Sequence, residues 1–137
     1  MHPPYVLIVD DFCDGREMLT EYLSFRGFPV VQVSTGEAAL TQARERRPGL
    51  ILMDIQMPGI DGLEATRQLK ADFVTQDILI VAVTARALAN EERDARRAGC
   101  DAFLAKPFEI QAVGDAVGDV LVRGRLGLSA FEALRSI

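Results

Sequence analysis

Acidic residues directly follow two strongly apolar stretches of this chain. Asp10 and Asp11 come after the apolar residues 5–9, and Asp54 comes after residues 50–53. Carboxylates brought together in one place raise one another's pKa values unless a positive charge compensates them. A divalent cation does so, and Mg²⁺ typically combines one or two carboxylates with water and a phosphate oxygen. These acids therefore predict a site that binds Mg²⁺, or Mn²⁺, together with phosphate.

A hydroxyl and a lysine follow two further apolar stretches. Thr84 comes after residues 78–83, and Lys106 comes after residues 102–105. A carboxylate can attack phosphorus to form an acyl phosphate, and this transfer depends mainly on positioning and charge neutralisation. We predict Asp54 as the nucleophile, on a central strand between the acid pair and the lysine. The cation, Lys106 and the Thr84 hydroxyl would each bind one phosphoryl oxygen.

Each of these residues has an ordinary structural interpretation when it is taken alone. An aspartate or threonine at the end of a strand is usually a helix cap or a turn residue, and a Lys-Pro pair usually marks a loop. The joint pattern is more informative, because an acid pair, an acid, a threonine and a Lys-Pro pair each follow a different strand.

The chemistry requires strands that bring these residues to one edge of a sheet. Five short runs alternate with helical patterns and are apolar at nearly every position, which is typical of parallel strands buried on both faces. Such βα units in series predict a doubly wound α/β domain with right-handed crossovers. Ligands of these folds bind at the carboxyl ends of the strands. The predicted strands are residues 5–9, 29–33, 50–53, 78–83 and 102–105.

Capping residues and apolar spacing predict the helices. Ser34 and Glu37 have the capping-box spacing ahead of the second helix. Asp61 is the predicted cap of the third helix, and Asn90 that of the fourth, which we expect to end near Gly99. The apolar faces of the first and fifth helices are predicted as Met18, Leu19, Tyr22 and Leu23, and as Ile110, Val113, Val117 and Leu121.

Composition excludes several classes of protein. The net charge of −5 disfavours a nucleic-acid surface, which needs clustered Lys and Arg. No apolar run approaches the ~20 residues of a membrane span, and the first residues do not resemble a signal peptide. We therefore expect a cytoplasmic protein without a membrane or direct nucleic-acid partner. Cys13 and Cys100 form no CxxC pair, and reduced thiols are expected.

The sequence resembles the receiver domains of two-component response regulators over residues 5–122. The resemblance implies a flavodoxin-like fold: a five-stranded parallel sheet of order 2-1-3-4-5 with helices on both faces. It leaves residues 1–4 as a tail and residues 123–137 as an extension, either a short helix or a linker. The matching stretches are VLIVDD at 6–11, LILMDIQMPGIDG at 50–62, VTA at 83–85, AG at 98–99 and FLAKPF at 103–108.

This resemblance also implies roles for the residues around the predicted cation. Asp54 would be the phospho-acceptor, Asp11 a direct Mg²⁺ ligand, and Asp10 a ligand acting mainly through water. The backbone carbonyl of Gln56 would complete the protein ligands. Lys106 would be the lysine that binds the phosphoryl group.

Further roles follow from the same resemblance. Thr84 would be the switch hydroxyl and Phe103 the switch aromatic, although ordinary core packing is the alternative for Phe103. Gln56 and Arg86 would flank the path of attacking water and tune the lifetime of the phosphoryl group, with plain solvent exposure as their alternative. The bond from the lysine to Pro107 is expected to be cis.

The expected function is a phosphorylation-activated switch in a two-component system or phosphorelay. Such a domain is not otherwise an enzyme, because it catalyses only its own phosphotransfer and dephosphorylation. The sole histidine, His2, lies at the terminus, so the donor must be a histidine kinase, a histidine phosphotransfer protein or a small acyl phosphate. A downstream protein would be the target, and a homodimer is left open.

Several alternatives remain beside a single-domain regulator. The chain could be a receiver excised from a hybrid histidine kinase or a multidomain regulator. An Asp-dependent phosphatase usually carries a second acid two residues after its nucleophile, where this chain has Phe12. A flavodoxin-like electron carrier needs a phosphate-binding loop after its first strand, where Asp10 and Asp11 would repel the phosphate. A P-loop enzyme lacks its motif here. A phosphorylation-dead receiver is disfavoured because each site position has a competent residue.

Overall fold

A single parallel sheet forms the centre of the protein. The structure, a computed structural model, describes residues 3–86 and 88–134, so the expectation for His2 lies outside it. Within those ranges the sheet has five strands, which in chain numbering lie in the order 2-1-3-4-5, and this confirms the predicted fold class and strand order. The strands are β1 (Val6–Val9), β2 (Val30–Val33), β3 (Leu50–Asp54), β4 (Ile80–Thr84) and β5 (Ala102–Ala105).

Helices cover both faces of this sheet. Successive residues of a strand point to opposite faces. Leu7 and Val9 therefore pack in one apolar cluster with the second, third and fourth helices, while Val6 and Ile8 pack in another with the first and fifth. This two-sided burial explains the continuous apolar runs of the sequence. The helices are α1 (Cys13–Phe25), α2 (Gly36–Glu45), α3 (Gly62–Ala71), α4 (Ala89–Ala98) and α5 (Ile110–Arg123).

The strand limits differ slightly from those predicted, and two differences matter for the site. β3 extends to Asp54 and β4 extends to Thr84, because Asp54 aligns with Val83 and Thr84 aligns with Ala105 in the parallel ladder. β1 and β2 begin one residue later than predicted, and β4 begins two residues later. Asp54 and Thr84 are therefore the last residues of strands and not the first residues of loops.

Two predicted helix caps are wrong by one or two positions. The side chain of Thr35, not that of Ser34, accepts the Ala38 N–H at 3.0 Å and caps α2. Asn90 lies inside α4, whose N-cap is Leu88 and which has no side-chain cap. The backbone carbonyl of Leu88 accepts the first amide bonds of that helix, so the helix begins before the residue with the best capping chemistry.

Two other helix ends match the sequence prediction. Asp61 caps α3 through a 2.9 Å bond from the Glu64 N–H to its Oδ1. Gly99 ends α4 with φ of 111°, a left-handed conformation that favours glycine.

The apolar faces of α1 and α5 were predicted only in part. Leu19 and Leu23 are buried in α1, but Met18 is 62% exposed, so its assignment to that face is wrong. In α5 the buried residues include Val113 and Val117, while Ile110 and Leu121 are only half-buried. The face turned toward the sheet is therefore rotated slightly from the predicted one.

The chain continues past α5 in ordered helical structure. A 3-10 turn over Gly124–Leu128 leads into a short helix, α6 (Ser129–Ala133). Leu128 and Phe131 are buried in the same apolar cluster as Leu104 of β5. Within residues 3–86 and 88–134, no helix is both long and apolar enough to cross a membrane.

The two cysteines differ in exposure and should differ in reactivity. Cys13 is exposed and Cys100 is buried, and both are free. Burial raises the pKa of the Cys100 thiol to about 11, and the thiolate is the reactive form. We expect a disulfide-exchange reagent to modify Cys13 alone in the folded protein and both thiols in denaturant, as measured by absorbance. Cys13→Ser should remove the reaction of the folded protein, and rapid modification of two thiols would contradict this.

Candidate functional site

Three carboxylates converge at the carboxyl edge of the sheet. Asp10, Asp11 and Asp54 each offer an oxygen, and these atoms lie within 4.8 Å of one another. Asp10 follows β1 and Asp54 ends β3, and these two strands are hydrogen-bonded neighbours. Asp10 and Asp54 are buried, whereas Asp11 is exposed. Clustered hard oxygen donors with one side open to solvent fit a divalent cation that retains several waters.

Lys106 supplies the positive charge nearest to the acids. Its Nζ lies 3.2 Å from Asp54 Oδ2 and 3.4 Å from Asp10 Oδ2. Its backbone N–H donates to the Thr84 carbonyl at 2.7 Å, and its peptide bond to Pro107 is cis. One ammonium cannot neutralise three carboxylates, so the site keeps a negative charge that a divalent cation would balance.

The loops after β1 and β3 hold the two buried carboxylates in place. The Phe12 N–H donates to Asp10 Oδ1 at 2.9 Å, and the Gln56 N–H donates to Asp54 Oδ1 at 3.1 Å. In both aspartates the second oxygen, Oδ2, is the one turned toward Lys106. Each carboxylate is therefore oriented by the backbone two residues further along the chain.

The acid at the centre of the cluster has a strongly perturbed pKa. Burial, followed by a hydrogen bond with Asp10, raises the pKa of Asp54 from 3.8 to about 6, while Lys106 and the Gln56 N–H oppose the rise. Burial alone would lower the pKa of Lys106, but the charges of Asp54 and Asp10 raise it overall. The lysine therefore stays protonated, and Asp54 is mostly ionised only above pH 6.

Thr84 lies next to this cluster but bonds away from it. Its hydroxyl is fully buried and accepts the Arg86 N–H at 3.0 Å. Its own proton has two acceptors, the Arg86 carbonyl at 3.3 Å and Glu91 Oε2 at 3.5 Å. The hydroxyl therefore faces the start of α4 in this structure, and its predicted contact with a phosphoryl group would require it to turn.

The remaining predicted residues lie around the acids and not among them. Phe103 is 3% exposed and packs in the apolar cluster beneath α2, α3 and α4. Gln56 is exposed. Arg86 is also exposed, but its guanidinium pairs with Glu91 at 3.4 Å.

An apolar cavity of about 520 Å³ adjoins the acids. Phe12 and Met18 of the α1 side and Phe108 and Ile110 of the α5 side form part of its wall, which Asp54 also lines. The exposed fractions of Phe12 and Met18, 61% and 62%, follow from their position on this open side.

This arrangement agrees with a match to a known protein family. Residues 6–118 match the response regulator receiver domain. The chain belongs to the response-regulator receiver family. The family predicted from the sequence motifs is thus confirmed, and most of the matched region is the sheet and the helices that position the acids.

Relatives and solved structures agree with this assignment. The polar-differentiation response regulator DivK of Brucella anthropi is 39% identical to the chain over 108 residues, which cover 79% of the chain and 88% of the relative. DivK of Brucella ovis is 38% identical over 105 residues, 77% of the chain and 85% of the relative.

Two solved structures are similar in fold. A Chloroflexus aurantiacus J-10-fl protein described as a response regulator superposes with a TM-score of 0.81 at 33% identity, covering 89% of this chain and all of that one. A CheY-like receiver domain protein from Methanospirillum hungatei JF-1 gives a TM-score of 0.82 at 22% identity, covering 91% of this chain and 98% of that one. The second similarity shows the fold alone.

Sequence reasoning missed one polar residue of this receiver domain. Glu91 contacts both Thr84 and Arg86 from the first turn of α4. An acid in the first turn of a helix is usually a favourable partner of the helix dipole, so its type gave no signal. The one signal in the sequence is the spacing: Glu91 lies seven residues after Thr84, in the first turn of the helix that follows β4, so the chain can fold back and bring the two side chains together.

Proposed function

We propose that this receiver domain is a signalling switch that accepts a phosphoryl group on Asp54. The observation that carries the proposal is the cluster of Asp10, Asp11 and Asp54 around the Lys106 ammonium. Asp54 is the central member, since it ends a middle strand and has a carboxylate oxygen within 3.2 Å of the ammonium.

The proposed reaction is a transfer between a phosphorylated donor and the Asp54 carboxylate. One Asp54 oxygen attacks phosphorus, and the bond from phosphorus to the donor's nitrogen or oxygen breaks, with its electron pair leaving on the donor. The carboxylate must be ionised to attack, which the pKa of about 6 allows at neutral pH. Lys106 then stabilises the charge of the phosphoryl oxygens.

The proposed cation ligands are the carboxylates of Asp11 and Asp54 and the backbone carbonyl of Gln56, with Asp10 acting mainly through water. Mg²⁺ or Mn²⁺ would supply charge neutralisation to the phosphoryl oxygens there. The protein's own part is to orient the carboxylates through the Phe12 and Gln56 amides.

The proposed switch begins at Thr84. A phosphoryl group on Asp54 adds negative charge and acceptor oxygens, and the Thr84 hydroxyl would turn toward them and give up its bonds to Arg86 and Glu91. Phe103 would then occupy the space left behind it. In the same proposal, Gln56 and Arg86 flank the approach of water and set the lifetime of the acyl phosphate.

The proposed cellular role is that of a cytoplasmic single-domain regulator. Its donor would be a histidine kinase or a histidine phosphotransfer protein, and its output a contact with a downstream protein. A receiver within a hybrid kinase or multidomain regulator is the alternative arrangement, and a homodimer is compatible with either.

Intact mass tests the proposed acceptor directly. Protein incubated with Mg²⁺ and acetyl phosphate should gain the mass of one phosphoryl group, and this gain should vanish in Asp54→Asn or when the cation is chelated. Asp14→Asn is the matched control, because Asp14 is an exposed carboxylate of α1 and should leave the gain unchanged. A full gain in Asp54→Asn would refute the assignment, and sustained hydrolysis of an aryl phosphate would favour a phosphatase.

A further inference from the structure

The segment that follows α5 covers the edge of the sheet. Residues 124–134, here called the C-terminal cover, comprise the 3-10 turn, α6 and Leu134. Phe131 is fully buried, and Leu128 is 7% exposed. The turn also approaches α5 closely, since a Cβ added to Gly127 would lie 2.4 Å from the Asp119 carbonyl oxygen. The cover is therefore a packed element of the fold.

The cover follows β5 from its beginning to its end. Arg125 Nη1 lies 3.1 Å from Oδ1 of Asp101, the residue before the strand. Leu134 lines a small cavity together with Pro107 and Phe108, which belong to the loop after the strand. β5 is an edge strand of the sheet, and unpaired edges are commonly covered by a helix or loop.

Edge protection does not account for the polar contact between the cover and α4. Arg96 Nη2 in the last turn of α4 lies 2.7 Å from Glu132 Oε1 of α6. In the first turn of the same helix, Glu91 contacts the Thr84 hydroxyl and the Arg86 guanidinium. The first turn of α4 thus contacts the predicted switch hydroxyl, and its last turn contacts the cover.

A second route joins the cover to the acids. The cavity that Leu134 shares with Pro107 and Phe108 lies at the loop directly after Lys106, whose Nζ pairs with Asp54. The cover therefore contacts α4, whose first turn meets the predicted switch hydroxyl, and lies beside the loop that follows Lys106.

We propose that the C-terminal cover is an autoinhibitory contact, docked on β5 and α4 in the unphosphorylated protein and loosened by phosphorylation of Asp54. This inference rests on the proposed function. In the unphosphorylated arrangement, the Thr84 hydroxyl donates to Glu91, and the Arg96 guanidinium of α4 pairs with Glu132 of the cover. When the Thr84 hydroxyl turns toward a phosphoryl group, it gives up its hydrogen bond to Glu91 in the first turn of α4. The helix can then shift, and a shift separates Arg96 from Glu132 of the cover.

Thermodynamic linkage makes this proposal reciprocal. If phosphorylation weakens docking of the cover by some factor, then complete loss of docking must favour the phosphorylated arrangement by the same factor, and a variant that only weakens docking must favour it by up to that factor. A cover with a purely structural role would show neither effect, because its docking would be equal in both states. Two measurements on the full chain therefore test a single coupling.

The first measurement is hydrogen exchange of residues 124–134 with Mg²⁺ alone and with Mg²⁺ plus beryllofluoride, which stands in for the phosphoryl group. We expect exchange in the cover to rise about 5-fold or more. The second is the affinity for beryllofluoride in Glu132→Gln and Phe131→Ala, which should rise about 5-fold. Glu132→Gln retains the apolar anchor if Phe131→Ala fails to fold, and Asp115→Asn removes a comparable ion pair to Arg26 as a control.

The possible outcomes distinguish the autoinhibitory contact from the proposed phosphorylation of Asp54 on which it rests. Loss of protection in the cover together with tighter beryllofluoride binding in the variants supports the contact. Unchanged exchange, or a variant affinity equal to that of Asp115→Asn, overturns it. If acetyl phosphate adds a phosphoryl group while the cover is unaffected, only the autoinhibitory contact fails. Absence of that added mass overturns both.

Discussion

Replacing Gly62 with alanine is expected to lower the free energy of unfolding by about 3 kcal/mol and to slow phosphorylation of Asp54. Gly62 is the first residue of α3. An added Cβ would lie 2.1 Å from the Asp54 carbonyl oxygen and 2.8 Å from the Ile55 Cα. Both contacts are with backbone, which cannot yield as a flexible side chain can.

The effect on the site follows from the same contact. The Gly62 N–H donates to the Ile55 carbonyl at 2.9 Å, so the loop after β3 closes against the strand end that carries Asp54. A methyl group at this point must push the strand end and the helix apart. That displacement would move the Asp54 carboxylate relative to Lys106 and to the Gln56 amide, the two groups that orient it.

Urea unfolding provides the measurement, with Gly15→Ala as the matched control. Gly15 lies within α1, and its added Cβ would be no closer than 3.4 Å to a neighbour. Because alanine is favoured over glycine inside a helix by about 1 kcal/mol, this control should be neutral or stabilising. Equal stability of the two variants would contradict the close approach at Gly62.

The acid cluster could be predicted because parallel strands place their carboxyl ends at one edge. Asp10, Asp54 and Lys106 lie at or just beyond the ends of apolar runs, and a one-residue error in a strand boundary does not move them to another edge. The strand order required the family resemblance, since five apolar runs alone do not determine which strands are neighbours.

Other features depend on choices that the sequence leaves open. Thr35 and Ser34 are both good caps, and the register of the chain leaving β2 decides between them. The direction of the Thr84 hydroxyl depends on a rotamer and on the neighbouring Glu91. Residues 123–137 could be a short helix or a linker from the sequence, and only the packed structure shows that Leu128 and Phe131 pack in one apolar cluster with Leu104 of β5.

Replacing Asp54 with asparagine is expected to stabilise the metal-free protein near neutral pH. In the folded state burial and Asp10 raise the pKa of Asp54 from 3.8 to about 6. Below pH 3.8 the carboxyl is protonated in both states and has no differential effect. Between the two pKa values the unfolded chain ionises more readily, so the wild type loses stability as pH rises and remains destabilised above pH 6.

The shift sets an upper bound of about 3 kcal/mol on this loss. Because solvent reaches this carboxylate and screens its charge, and because an amide does not reproduce every hydrogen bond of a protonated carboxyl, we expect a gain of about 1 kcal/mol. Urea unfolding in chelator at pH 5 and pH 7.5 measures it. The advantage of Asp54→Asn should be larger at pH 7.5, whereas Asp94→Asn, an exposed position in α4, should show little pH dependence.

Mg²⁺ should reverse the order of the two proteins. A ligand that binds only the folded state begins to stabilise it when the ligand concentration reaches the dissociation constant. Above that concentration, the free energy of unfolding rises with the logarithm of the ligand concentration. The wild type has three carboxylates for the cation, while Asp54→Asn keeps Asp10 and Asp11 and must bind it more weakly. The stability of the wild type should therefore begin to rise at a lower Mg²⁺ concentration than that of the variant. If both curves begin to rise at the same Mg²⁺ concentration, Asp54 is not a ligand, even if its pKa is raised as described.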